Sequence, residues 1–157
     1  MIKNQIELFD TKSRQLRPLV SSDGEKLRIY SCGPTVYRDA HVGNMRTFLL
    51  GDLITRLAKF AGYKVDFIQN ITDVGHMSED FVEDKMLAQA KAESKDPFEI
   101  ARIYEKRFHE DLSKLNITPA DSYPKASECI KLMQDLIQKL IDTDHAYVGT
   151  DNCVYFS

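Results

Sequence analysis

The order of apolar and polar positions divides the chain into short strand-like runs and longer helical ones. Residues 5–9 alternate loosely and predict a short strand. Residues 11–24 are polar and carry Pro18, Ser21, Ser22, Asp23 and Gly24, the composition of a loop or turn. Residues 27–32 (LRIYSC) are an apolar, β-leaning run stopped by Gly33 and Pro34, and predict a strand. The clearest helix spans residues 44–61. Met45, Leu49, Leu53, Leu57 and Ala61 recur every four residues there, with Leu50, Ile54 and Ala58 beside them. Asn44 is placed to cap its start and Gly62 to end it. Residues 64–69 (KVDFIQ) then predict a second strand.

Strand, glycine-bearing loop, helix, glycine, strand is a βαβ unit. It predicts an α/β fold with parallel pairing and a right-handed crossover. Ligands of such sheets bind outside the carboxyl ends of the strands. Those ends are residues 32–43 and 70–75, which the topology makes spatial neighbours. The remainder is mostly helical. Residues 79–93 form a polar helix, and residues 97–115 a helix with Ala101, Tyr104, Phe108, Leu112 and Leu115 on one face. Residues 116–125, with Pro119, Asp121 and Pro124, read as a linker. Residues 126–141 form an amphipathic helix through Ile130, Met133, Ile137, Leu140 and Ile141, and the last residues a hairpin around 149–152.

Composition narrows the function. At 157 residues the chain has the length of one domain, with 43% hydrophobic and 29% charged residues, ordinary for a packed protein. A net charge of −3 lacks the basic surplus of proteins that hold nucleic acid by phosphate neutralisation alone. Cys32, Cys129 and Cys153 are odd in number and widely spaced, which argues for a reducing compartment rather than a disulfide framework. With no apolar leader at its N-terminus and no membrane-length apolar run, the chain reads as soluble and cytoplasmic.

Candidate chemistry sits at the two strand ends. In CGPTVY followed by HVGN, Gly43 lets a ligand approach the backbone, and the first N–H groups of the helix favour an anion. His41 stands one turn ahead and is placed to donate to a phosphate oxygen. The same residues also make a tight strand-to-helix turn with a capping Asn44 and a solvated His41; spacing alone does not separate the two. Cys32 offers a thiolate, but one cysteine cannot hold zinc, and as a single residue it reads rather as a small buried hydrophobe. Thr72 and Asp73, in the second segment, are candidates to hold a small polar substrate, although Asp73 fits equally a turn that caps a helix. His76 is a candidate base or a merely solvated histidine.

These residues carry a resemblance. CGPTVY, HVGN, the helix and GYKVDFIQNITDVGH resemble, in order, the opening of cysteine–tRNA ligases, and HVGN resembles the HIGH signature of class I synthetases. The likeness runs on through Leu115, Asn116, Ile117, Pro119 and the segment His145–Ala146–Tyr147, across essentially the whole chain. It implies a Rossmann-like nucleotide-binding half-domain, a parallel sheet with flanking helices, over residues 1–120. Residues 121–157 would begin an inserted connective region. It also implies ATP-dependent activation of cysteine to cysteinyl-adenylate and transfer to tRNA(Cys). By the same resemblance Cys32 is a zinc ligand and Gly33 and Thr72 line the amino-acid pocket. Pro34, Thr35, Tyr37, His41, Gly43 and Asn44 hold ATP with its Mg2+, and His41 and Asn44 are catalytic.

The sequence departs from the signature at Asn44, where the last histidine would stand, and at Met45. It contains no KMSKS lysine motif. The other zinc ligands (a cysteine, a histidine and a glutamate), the second half of the nucleotide fold and the anticodon-reading domain are expected outside these residues. The chain is expected to be either a fragment or a shortened relative, incomplete as an isolated enzyme. Two other functions share the motifs: a ligase joining cysteine to an amino-sugar inositol in mycothiol synthesis, and a non-catalytic nucleotide- or partner-binding module.

Overall fold

A computed structural model describes residues 6–21, 24, 26–75 and 85–157. The expected helix over 79–84, residue 5 of the first strand and His76 lie outside the described residues. β1 (Glu7–Asp10) pairs antiparallel with β2 (Gln15–Pro18). β2 falls within the stretch read as loop. Its four residues are all exposed, so no apolar alternation marks it. The hairpin is set instead by its turn, where the Asp10 carboxylate accepts from the Ser13 N–H at 2.8 Å and Arg14 adopts φ 55°.

The βαβ unit forms as expected. β3 (Lys26–Ser31) and β4 (Lys64–Gln69) pair in parallel, from Lys26 opposite Lys64 to Ser31 opposite Gln69. α1 (Val42–Phe60) connects them and ends at Gly62, whose φ of +86° suits glycine. The pairing continues past the strand ends through a bridge between Thr35 and Thr72. On the other side of β4, residues 121–126 are not a free linker. Asp121 N–H donates to Phe67 O, Gln69 N–H to Ser122 O, Ile71 N–H to Pro124 O and Ala126 N–H to Ile71 O. Pro119 and Pro124 carry no N–H, and the segment forms isolated parallel bridges rather than a continuous strand.

α2 (Lys85–Glu93) and α3 (Pro97–Lys114) follow, the latter capped by Asp96. A short 3-10 turn (Ser127–Cys129) leads into α4 (Ile130–Asp142), then β5 (Ala146–Val148) pairs antiparallel with β6 (Val154–Phe156). The result is a mixed α/β architecture with one helix-crossed parallel pair.

The main core lies between α3 and the start of α1. Val36, Met45, Phe48, Ile71, Ile100, Phe108, Leu112 and Ile117 are buried together, with Phe48 and Phe108 edge to face at 5.3 Å. A smaller cluster, Ile6, Leu27 and Ala58, lies under the N-terminal hairpin.

The leucine stripe of α1 does not face this core. Leu49, Leu50, Leu53 and Leu57 are exposed, and the buried face is Met45, Phe48, Gly51, Asp52, Thr55 and Ala58. Close approach to the sheet selects small residues there. A Cβ on Gly51 would stand 3.2 Å from the Phe67 ring and 3.4 Å from the Ser31 hydroxyl. Asp52 is tolerated in the buried face because its carboxylate accepts from Arg56 Nε at 2.8 Å and from Thr118 N–H at 3.0 Å.

Candidate functional site

The two strand tips meet, as the topology requires. Thr72 N–H donates to Pro34 O at 3.0 Å and Val36 N–H to Thr72 O at 3.1 Å. Gly33 sits so close to β4 that a Cβ there would lie 1.6 Å from Asn70 O, so only glycine fits. Its N–H donates to Asn70 Oδ1 at 3.0 Å. Asn70 Oδ1 also accepts from Tyr30 Oη at 2.7 Å, and Asn70 Nδ2 donates to Thr72 Oγ1 at 3.2 Å. Cys32 is exposed at the tip of β3, and its carbonyl accepts from Gln69 Nε2 at 3.4 Å. Cys32, Gly33 and Thr72 thus converge on one end of the parallel pair.

The start of α1 differs from the expectation in one respect. His41, not Asn44, is the N-cap: the helix begins at Val42, two residues before the expected start at Asn44. The His41 Nδ1 accepts from Gly43 N–H at 3.1 Å and Asn44 N–H at 3.3 Å, and Asn44 Oδ1 accepts from His41 N–H at 3.1 Å. This is a capping box with histidine in place of serine or threonine. Two N–H groups expected to face an anion are therefore taken by the His41 ring. The same ring fills the space a Cβ would need at Gly43, with Cε1 2.9 Å from that position. With Nδ1 as acceptor, the neutral ring carries its proton on Nε2. The ring's own donor at this helix start is thus Nε2–H.

The loop between strand tip and helix encloses a cavity of about 240 Å³ lined by Pro34, Thr35, Tyr37, Arg38, Asp39, Ala40 and Asn44. The Arg38 guanidinium lies 5.1 Å from the centre of the Tyr37 ring. Asp39 on the rim is gripped through both carboxylate oxygens by Arg107 Nη1 of α3, at 3.1 and 3.3 Å, and Arg107 itself lies over the Tyr104 ring. Sequence reasoning missed this clamp, because nothing local links residues 68 apart.

Asp73 belongs to the scaffold. Its carboxylate accepts from Ser127 N–H at 2.9 Å and from Ser127 Oγ at 2.5 Å, and it is buried. Both oxygens hold the 3-10 turn against β4. Cys129 is partly buried and Cys153 exposed, both remote in sequence from Cys32. Among the described residues no group of three or more His, Cys, Asp or Glu side chains is arranged to hold a metal ion. The described residues therefore do not make a zinc site by themselves, which takes four ligands. No helix among the described residues is long and apolar enough to cross a membrane.

Comparison with known proteins finds relatives along nearly the whole chain. The chain is 43% identical over 150 residues to a cysteine–tRNA ligase of Chlamydia felis, a match covering 96% of this chain and 30% of that protein. It is 43% identical over 155 residues to the cysteine–tRNA ligase of Chlamydia caviae, covering 99% of this chain and 31% of the relative. The ligase of Salinibacter ruber matches at 39% identity over 158 aligned positions, 96% of this chain and 30% of the relative. The chain thus spans about three tenths of the length of these relatives. The family profile described as tRNA synthetases class I (C) catalytic domain matches residues 18–157, and the chain belongs to that family.

Proposed function

We propose that this chain is the N-terminal part of a cysteine–tRNA ligase, and supplies the face that holds cysteine and the phosphates of ATP. The observation that carries this reading is the joining of the Thr72 strand end to the Pro34–Val36 loop, with a cavity lined by both Pro34 and Thr35 of that loop and Asn44 at the start of α1, in a chain similar to proteins named cysteine–tRNA ligase. In this reading residues 1–120 are a Rossmann-like half-domain and residues 121–157 begin a connective insertion. The whole protein works in the cytoplasm on cysteine, ATP with Mg2+, and tRNA(Cys).

The reaction is attack of the cysteine carboxylate oxygen on the α-phosphorus of ATP, expelling pyrophosphate and leaving cysteinyl-adenylate. The tRNA terminus then takes the acyl group and releases AMP. Such catalysis is mostly orientation and charge stabilisation. His41 Nε2–H donates to a phosphate oxygen as charge builds on it. Asn44 holds the ring in that direction through its backbone N–H, which donates to His41 Nδ1. Pro34, Thr35, Tyr37 and Asn44 line the cavity that receives the nucleotide, beside Gly43 at the helix start. Gly33 and Thr72 hold the amino acid. Cys32 would be one ligand of a zinc ion whose other ligands come from outside these residues, and no step is routed through that ion.

A chimera tests the reading. The matched region of the Chlamydia felis ligase is replaced by this chain, and cysteine-dependent ATP–pyrophosphate exchange is measured. The expected result is exchange that falls about tenfold to a hundredfold on His41→Asn, the loss of one hydrogen bond to a charged group. A folded chimera without exchange, or one indifferent to residue 41, contradicts the reading.

A further inference from the structure

We infer that Asn70 is a positioning residue that sets the direction of the Thr72 hydroxyl, turning its hydrogen toward the ligand. The inference rests on the proposed amino-acid site and adds to it a residue that touches no substrate. The amide orientation of Asn70 follows from its partners. Gly33 N–H can only donate, so the atom 3.0 Å from it is the oxygen, and Tyr30 Oη donates to the same oxygen at 2.7 Å. The Asn70 nitrogen is then the atom facing Thr72 Oγ1 at 3.2 Å, and it can only donate. Thr72 Oγ1 spends one lone pair as acceptor and keeps its own hydrogen free. The Thr72 backbone is fixed by its bonds to Pro34 and Val36 and its Oγ1 is held by Asn70, so the hydroxyl hydrogen has one rotor left to set. A site built this way offers a donor to an acceptor atom, such as a carboxylate or acyl oxygen of an amino acid or its adenylate.

Asn70→Asp reverses this polarity at almost constant shape. One carboxylate oxygen still accepts from Gly33 N–H. The other accepts from the Thr72 hydroxyl, whose hydrogen is then turned inward and lost to the ligand. An added charge would also weaken binding of an acidic ligand directly, so Thr72→Val separates the two routes. The 157-residue chain is titrated with cysteinyl sulfamoyl adenosine, a stable mimic of the adenylate, as wild type, N70D, T72V and the double variant. The Gly33 amide resonance reports that the strand tips remain joined. The expected result is a loss of about tenfold for N70D, with a change below about twofold when the same substitution is made in T72V. Unchanged affinity in N70D overturns the inference, as does an equal loss in both backgrounds. A wild-type chain that does not bind the mimic overturns the site reading first, and the inference falls with it.

Discussion

At the start of α1 a histidine occupies the position that serine, threonine, aspartate or asparagine usually fills. Its ring binds two backbone N–H groups through Nδ1 and so aims a donor outward through Nε2. These two roles separate by substitution. His41→Asn is expected to keep the cap, with unfolding free energy nearly unchanged, while ATP affinity of the chain falls about tenfold or more. His41→Ala is expected to lose both, costing about 1 kcal/mol of stability besides. Thermal unfolding and ATP titration of the two variants check this; an asparagine variant with full ATP affinity contradicts it. The sequence pointed to this place through HVGN, but not to the capping role, because a histidine cap has no common signature. Asp73 was legible as either a local cap or a ligand, and its two bonds go instead to Ser127, 54 residues away, a tie no local pattern marks.

Among the elements, those with local signals formed within a few residues of the expected bounds: β3, β4, α1, α3 and the closing hairpin all carry their own periodicity or stops. The face of α1 did not follow from its pattern. A helix apolar on several sides has no single stripe, and the sheet chose the side where Gly51 allows close approach. The junction of α2 and α3 is held by a polar node. Glu93 accepts from Gln89, Lys95 and Tyr104, and these bonds pull its pKa from 4.5 down to about 2. A carboxylate with a depressed folded-state pKa stabilises the protein above its unfolded value, and that contribution disappears as pH falls through the folded one. Glu93→Gln is therefore expected to lower the melting temperature at neutral pH. The difference from wild type should close between 4.5 and about 2. Melting curves across that range check it, and a difference independent of pH contradicts it.

At the scale of the whole molecule, the parallel pair, the clamp from Asp39 to Arg107 and the segment laid along β4 bring distant residues to one end of the sheet. The βαβ topology was readable because each of its parts is local. The path of residues 121–126 was not, because prolines hide a pairing that depends on Phe67, Gln69 and Ile71 far upstream. Apolar side chains stand exposed along α1 and α4 and on β6, at Leu53, Phe60, Leu132 and Phe156 among others, in a chain matching about three tenths of its relatives' length. Such surfaces commonly mark contacts with further protein. The proposed function requires something narrower: one cleft that joins the strand tips to the helix start and takes both halves of an aminoacyl-adenylate. Amide chemical-shift mapping of the labelled chain with cysteinyl sulfamoyl adenosine tests it most directly. The account predicts perturbations at Gly33 and Thr72 together with Gly43 and Asn44, saturating with one affinity. Shifts confined to one of these segments, or lying elsewhere on the molecule, would contradict it.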